Sequence, residues 1–489
     1  MVYWFWLKII HIFVLNNAGI MLIGRKHEQE VLRNALHKDQ SQFIAVYGRR
    51  RVGKTFLIRE TFNYKFTFQH TGLADGKTSD QLANFQESLK EYGYSNAPLP
   101  SSWLDAFNLL KVLVKQSRAK KKVLFIDELP WLDTSKSGFL TALEHFWNGW
   151  ATNRKDIVLI VCGSATSWII NKIINNHGGL HNRVTDRILL QPFTLAECES
   201  YAKSLGLKME REQILEGYMI LGGIPYYWSF LSKNMSLAQN IDSLFFAKDG
   251  KLRDEFDHLY ASLFKKKEPY IAIVSALGKK KIGLTRDELI QELNIKAGGY
   301  LSRRLVELEQ CGFIRKYSTP GKSVKDALYQ LLDNYTIFYF RFIQHNTSDD
   351  EHFWLSSIDA PFHRIWEGLA FERVVLQHIP QVKNALGISG VLSSVYSWRY
   401  DGDVGAQIDL IIDRHDSVIN LCEIKYSSSE YVITKDYAKD LKRKREVYRE
   451  QTKTKKAIHL TMITTEGVKR NAYYNDIQSE ATMDQLFKE

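Results

Sequence analysis

One stretch limits the fold more than any other. Residues 43–47 (Phe-Ile-Ala-Val-Tyr) are a short run of β-branched and aromatic residues that reads as a buried strand. Gly48-Arg49-Arg50-Arg51-Val52-Gly53-Lys54-Thr55 follows at once and fits GxxxxGK[ST] at every position. Phe56, Leu57, Ile58 and Phe62 then continue at helical spacing. Strand, glycine loop and helix make a phosphate cradle. The glycines let backbone N–H groups curl around phosphate oxygens at the positive end of a helix. The expected ligands are ATP and Mg²⁺, held by positions 48–56. Lys54 is expected to bridge the β- and γ-phosphates, and the Thr55 hydroxyl to hold the metal.

Downstream, Val123-Leu124-Phe125-Ile126 is an apolar strand that ends in Asp127-Glu128. Asp127 is expected in the Mg²⁺ shell and Glu128 at the attacking water. A third strand, residues 157–162, ends at Gly163-Ser164. A polar residue there faces the ligand crevice. Ser164 reads as a γ-phosphate sensor or as a turn serine, and both readings stay open. Arg183 and Arg187 precede a fourth apolar run, residues 188–190. Either suits an arginine finger, acting in cis or from a neighbouring subunit.

These motifs resemble those of the archaeal-type AAA+/STAND-related P-loop ATPases. The phosphate loop, FIDELPWL, CGSATSWI and NRVTDRILLQPFTLAE carry the resemblance, with Leu22 to Glu28 and Gly222-Gly223-Ile224-Pro225-Tyr226 beside them. It runs from about residue 22 to the C-terminus. It implies an α/β fold with a five-stranded parallel sheet, a helical lid and an ATP-driven switch. The Leu22–Glu28 segment would pack beside the adenine, and 222–226 would belong to the lid. The family usually has a glycine before the arginine aligned with Arg183, where this chain has Asn182. Its final domain resembles a PD-(D/E)XK, restriction-endonuclease-like nuclease.

The expected organisation is an apolar extension at 1–21, an ATPase core at 22–194, a helical lid at 195–266, a winged helix-turn-helix at 267–345 and the nuclease-like domain at 346–489. Lys265-Lys266-Lys267 and Lys279-Lys280-Lys281 bracket the third boundary. Residues 270–332 read as three helices and a hairpin. Thr285-Arg286-Asp287-Glu288 is a capping box, and Pro320-Gly321-Lys322-Ser323 joins the hairpin. The third helix would present Ser302, Arg303 and Arg304 to a DNA groove, and the wing Lys322 and Lys325 to phosphates. A winged helix used only for packing is the other reading.

In the last segment Asp409 lies on one strand, and Glu423 and Lys425 on the next. Residues i and i+2 of a strand share a face, so Glu423 and Lys425 project together. Glu372, on a preceding amphipathic helix, completes the set. Asp409, Glu423 and Glu372 would share Mg²⁺, and Lys425 would stabilise negative charge. Two readings stay open: an Mg²⁺-dependent deoxyribonuclease, or a fold that binds without cutting. Residues 435–456 hold ten Lys/Arg against four Asp/Glu, suited to following a phosphate backbone. Tyr437 and Tyr448 there suit base stacking or the core.

The chain has 489 residues, 45% hydrophobic and 25% charged, with 9 prolines, which excludes collagen-like, mostly disordered and polytopic membrane classes. A net charge of +11 is compatible with DNA as the partner. A homo-oligomer is also expected. Cys162, Cys198, Cys311 and Cys422 form no CxxC, which points to a reducing, cytoplasmic setting. Residues 2–15 are apolar but too short to span a bilayer. The expectation is an upstream extension without stable membrane insertion, with a membrane-surface anchor as the alternative.

Overall fold

Residues 43–47 do fold as a strand, and four more line up beside it in parallel. The computed structural model describes residues 22–176, 178–264, 266–318, 327–346, 348 and 350–488. The first sheet comprises β1 (Gln42–Tyr47), β2 (Phe68–Thr71), β3 (Lys122–Asp127), β4 (Ile157–Gly163) and β5 (Asp186–Leu189), in the order β2-β3-β4-β1-β5. Helices cover both faces, so all seven residues of β4 are buried. Successive side chains of β1 enter opposite cores: Phe43 and Ala45 one apolar cluster, Ile44 and Val46 the other. β2 was not foreseen. Its sequence, Phe-Gln-His-Thr, is too short and polar to announce a strand, and its pairing with β3 makes it one.

Past β5 the described residues are helical up to Leu263. Thr194 and Glu197 form a capping box that opens the helix Leu195–Ser204. The helices Arg211–Leu221, Pro225–Trp228 and Glu255–Leu263 pack into the same core as one face of the sheet.

The helices Glu268–Gly278, Arg286–Glu292 and Gly299–Gln310 come next, with the foreseen capping box at Thr285 and Glu288. They carry a small antiparallel sheet, β6 (Leu284–Thr285), β7 (Ile314–Tyr317) and β8 (Leu328–Leu331), in the order β6-β8-β7. The expected turn between β7 and β8, with Lys322 and Lys325, lies outside the described residues, as do Lys265 and the 1–21 extension.

The C-terminal part is a second five-stranded sheet: β9 (Ser393–Tyr400), β10 (Ala406–Arg414), β11 (Val418–Lys425), β12 (Ala457–Thr464) and β13 (Ser479–Thr482). β9, β10 and β11 pair antiparallel, while β11, β12 and β13 pair parallel. The basic helix Lys435–Thr452 makes the crossover from β11 to β12. Helix Pro361–Gln377 packs on β11 and brings Glu372 to the sheet. The register of β10 on β9 shifts between Ile408 and Ile411, a bulge that holds Asp409. All four cysteines are buried and free. Among the described residues no helix is long and apolar enough to cross a membrane.

Candidate functional site

The phosphate loop sits at the carboxyl end of β1, where the strand order reverses and open α/β sheets hold their ligands. Gly48 has φ +137°, and a Cβ there would lie 2.4 Å from the Leu190 carbonyl oxygen, so no larger residue fits. Helix Lys54–Thr61 starts directly after Gly53, which aims its amino end into the loop. Val52 is buried and Phe56 half-buried.

Three strand ends bring the catalytic candidates together. Lys54 Nζ donates to the Gly48 carbonyl at 3.0 Å and the Arg49 carbonyl at 2.9 Å, and lies 3.3 Å from Ser164 Oγ on the β4 end. Ser164 Oγ in turn donates to Glu128 Oε1 at 2.9 Å, and its N–H to Glu128 Oε2 at 3.3 Å. The Thr55 hydroxyl donates to Asp127 Oδ2 at 2.7 Å. Burial, then the adjacent Asp127, raises the Glu128 carboxyl above its ordinary range. Glu128 itself stands at φ 47° on the turn after β3. A hydroxyl beside a carboxylate at the foot of a phosphate loop is the donor set that Mg²⁺ takes, so these residues fit the metal.

The loop arginines behave differently from the sequence expectation, which gave Arg49, Arg50 and Arg51 to the nucleotide. The Arg49 side chain is buried and turned away, paired with Asp333 and stacked 4.7 Å over the Phe313 ring. Arg51 pairs with Glu255 and lies 4.4 Å over Tyr226. Their backbones remain in the loop, but their side chains join it to two other parts of the chain. Arg50 stays at the loop, where burial and then Arg51 lower its proton affinity. Arg25 donates to the Gln191 carbonyl at 2.6 Å and stacks 4.7 Å over Phe193, fastening the 22–28 segment to the β5 end. Gly223 packs there too: a Cβ would meet the Phe193 oxygen at 2.0 Å. Arg183 is exposed and makes no side-chain hydrogen bond or ion pair with the described residues.

The second candidate cluster lies on the inner strands β10 and β11 of the C-terminal sheet. Glu372, Asp409 and Glu423 are all buried. Each faces a cation. Lys281 Nζ lies 2.9 Å from Glu372 Oε2 and 2.8 Å from Asp409 Oδ1. Arg373 takes Glu372 Oε1 at 2.7 Å. Lys444 Nζ donates to both Glu423 oxygens at 2.8 Å, and Tyr437 OH donates to Oε2 at 3.1 Å. Lys425 lies 3.9 Å from Glu423, on the shared face foreseen. Burial, then Asp409, pushes the Glu423 carboxyl up to about 7. Burial works against ionising Asp409 as well, but Lys281, with Lys425 and the Ile424 N–H, together hold this carboxyl below its usual range.

The expected three-carboxylate metal site is therefore not formed. Among the described residues no group of three His, Cys, Asp or Glu side chains is arranged to hold a metal ion. In this arrangement Glu372, Asp409 and Glu423 do not fit one, because ammonium and guanidinium groups take their oxygens. Lys281, Lys444 and Arg373 were missed as members of this site. The first two stood in basic runs, but charge runs do not name their partners.

Of the helix residues expected at DNA, Ser302 and Arg303 are exposed, while Arg304 is half-buried with its guanidinium 5.6 Å from the Tyr300 ring and 5.8 Å from Tyr270. The far end of that helix packs on the first sheet's domain, where Ser167 donates to Gln310 at 2.6 Å. Tyr448 belongs to the core, hydrogen-bonded to Tyr396 at 2.9 Å.

A parallel sheet with this loop on β1 and an acid pair ending β3 defines a P-loop ATPase-type domain. Comparison with known proteins agrees. Residues 22–230 match a family described as an ATPase domain predominantly from Archaea. An uncharacterized protein of Methanocaldococcus jannaschii is 26% identical over 442 residues, 87% of this chain and 92% of its own length. An uncharacterized ATP-binding protein of the same organism is 41% identical over 46 residues, 9% of this chain and 78% of its own. A solved Walker-type ATPase of Pyrococcus abyssi superposes with TM-score 0.50 at 16% identity, over 66% of this chain and 96% of its own, a likeness of fold. The matched domain and the loop geometry together support ATP binding and hydrolysis.

Proposed function

We propose that the chain is an Mg²⁺-dependent ATPase that couples its nucleotide state to DNA binding. The supporting observation is the chain of contacts Lys54–Ser164–Glu128 beside Thr55–Asp127. Lys54 exchanges the Gly48 and Arg49 carbonyls for the β- and γ-phosphates. Asp127 and the Thr55 hydroxyl hold Mg²⁺, which neutralises phosphate charge when bound. Glu128, raised in proton affinity by burial, takes the proton of the attacking water. Ser164, between Lys54 and Glu128, reports the γ-phosphate to both. Arg183, exposed on its own chain, suits a finger offered to a second copy.

The reading divides the chain at 194, 266 and 345 into core, lid, winged helix and nuclease-like domain. Three helices with a β6-β8-β7 sheet support the winged helix. Its third helix has an exposed amino end carrying Ser302 and Arg303, the end that enters a groove in such motifs. For the nuclease-like domain, the cations on Glu372, Asp409 and Glu423 favour a domain that binds DNA without cutting it, at least in this arrangement.

ATP turnover by Lys54→Ala, with DNA affinity measured at several salt concentrations under ATP and ADP, tests the proposal. Turnover should be lost, and affinity should fall steeply with salt and differ between nucleotides. Normal turnover in the variant would refute the phosphate-loop assignment. Failure to bind DNA at low salt would remove the DNA half.

A further inference from the structure

The phosphate loop carries Arg49, Arg50, Arg51 and Lys54, and most of the charge around it is already matched. Arg49 is paired with Asp333 and Arg51 with Glu255. Both acids are buried and otherwise engaged: Asp333 Oδ2 accepts the Thr336 N–H at 3.0 Å, and Glu255 Oε1 accepts the Tyr227 hydroxyl at 2.7 Å. Asp127 is taken by Thr55 and Glu128 by Ser164. Among the described residues, that leaves Lys54 and Arg50 as the loop cations without an ion pair. Lys54 is the lysine that the motif gives to the β- and γ-phosphates. Arg50 shares its condition.

The neighbours of Arg50 explain why its side chain stays at the loop. Arg49 is drawn out over the Phe313 ring at 4.7 Å, and Arg51, in a left-handed turn at φ 71°, over the Tyr226 ring at 4.4 Å. With both fastened, the backbone that carries Arg50 is held from either side. The Arg50 side chain is half-buried and makes no hydrogen bond with the described residues. The carboxylates whose charge reaches it are Glu128 and Glu255, and they only partly offset burial and the like charge of Arg51. Glu255 belongs to Arg51, and Glu128 is the acid assigned to the attacking water. A half-desolvated guanidinium whose charge is only partly answered is unfavourable as a structural element and favourable beside an anion.

We infer that Arg50 is a catalytic arginine supplied in cis by the phosphate loop itself, touching the γ-phosphoryl oxygens and answering the charge that grows there in the transition state. This rests on the ATPase reading. In that reaction the bond from the γ-phosphorus to the β–γ bridging oxygen breaks, and the oxygen keeps the electron pair and leaves with ADP. A water oxygen bonds to the γ-phosphorus, and the water's proton goes to Glu128. Arg50 neither gives nor takes a proton. Its planar fork donates hydrogen bonds that strengthen as the phosphoryl oxygens gain charge, so it favours the transition state over bound ATP. It acts within one chain, unlike a finger offered by Arg183 to a second copy.

The test uses the full-length chain and four readouts: kcat for ATP, ADP affinity by calorimetry, retention of ADP with aluminium fluoride, and a thermal melt without nucleotide. Aluminium fluoride beside ADP mimics the phosphoryl group in transfer. Arg50→Ala should lower kcat by about 10³-fold or more, hold ADP within about threefold of wild type, and fail to retain ADP with aluminium fluoride. Without nucleotide it should melt no lower than wild type, because it removes a charge that has no ion pair. Arg50→Lys keeps the charge without the planar fork; it should recover part of kcat, and it covers the case in which the alanine variant fails to fold. A kcat for Arg50→Ala within about threefold of wild type overturns the inference. Equal loss of ADP binding and turnover also overturns it, because the residue would then only build the loop. Lys54→Ala, measured alongside, judges the ATPase reading. If that variant turns over ATP normally, the reading fails and the inference falls with it. If it is inactive while Arg50→Ala is not, the arginine alone fails.

Discussion

Glu128 depends on local geometry. It follows β3 in a left-handed turn, φ 47°, which brings its carboxylate to Ser164 rather than along the strand. Asp127, one residue earlier, stays on the strand and meets Thr55. Two adjacent acids thus meet different partners because one backbone angle separates them. Glu128→Gln keeps the shape and removes the proton acceptor. It should bind ATP and lower turnover by about 10²- to 10⁴-fold, read by filter binding beside phosphate release. Equal loss of binding and turnover would make Glu128 a structural residue. The same contrast appears at Asp409. A bulge in β10 turns the local register, and Asp409 Oδ2 accepts the Ile424 N–H at 3.2 Å, which couples it to the Glu423 strand.

At the scale of elements, helix Gly299–Gln310 is divided between two tasks. Leu301, Leu305 and Leu308 are buried at helical spacing, and Gln310 meets Ser167. Ser302 and Arg303 are left on the outer face, and Arg304 between the Tyr270 and Tyr300 rings. Arg303→Ala with Arg304→Ala should weaken DNA binding and reduce the slope of log affinity against log salt by about 0.9 for each lost phosphate contact. An unchanged slope would mean that this helix does not touch the backbone of DNA. The helix itself was legible from its leucine spacing and from the capping box of the helix before it. β2 and β6 were not, because two to four residues of mixed polarity become strands only when a neighbour supplies the ladder.

At the scale of the molecule, Arg49 and Arg51 tie the phosphate loop to Asp333 and Glu255, so the loop's shape is shared with the segment after β8 and with helix Glu255–Leu263. His378 makes another long tie. Its Nε2 accepts the Leu195 N–H at 3.0 Å, at the start of helix Leu195–Ser204, while Nδ1 donates to the Val374 carbonyl at 2.7 Å. Both ring nitrogens are used in the neutral form, and burial lowers its pKa to about 4. His70, buried against Ser88, is lowered by burial to about 3. A histidine with a depressed folded pKa contributes stability that is present above its unfolded value and lost as pH falls. Each ring should therefore lower stability between about pH 6.5 and pH 4 by roughly 1 kcal/mol per pH unit, against the opposite contribution of the raised Glu423 carboxyl. Melting temperatures of wild type and His378→Asn at pH 7.5, 6 and 5 isolate the ring's share, and the same pH profile in both would show that His378 titrates alike folded and unfolded.

The sequence by itself determined what is local in the chain. The phosphate loop, the strand that feeds it and the acids that end β3 lie within short windows, and their chemistry follows from residue type and spacing. The i and i+2 pairing of Glu423 and Lys425 is of the same kind. Only the tertiary structure decided which charge answers which. Arg49 meets Asp333, Lys281 meets Glu372 and Asp409, and Lys444 meets Glu423. These partners are far apart in sequence, and a lysine in a basic run looks the same whether solvated or seated on a buried carboxylate. Burial makes the difference: desolvation turns an ordinary surface charge into one that must have a partner, and the packing of separate elements chooses the partner.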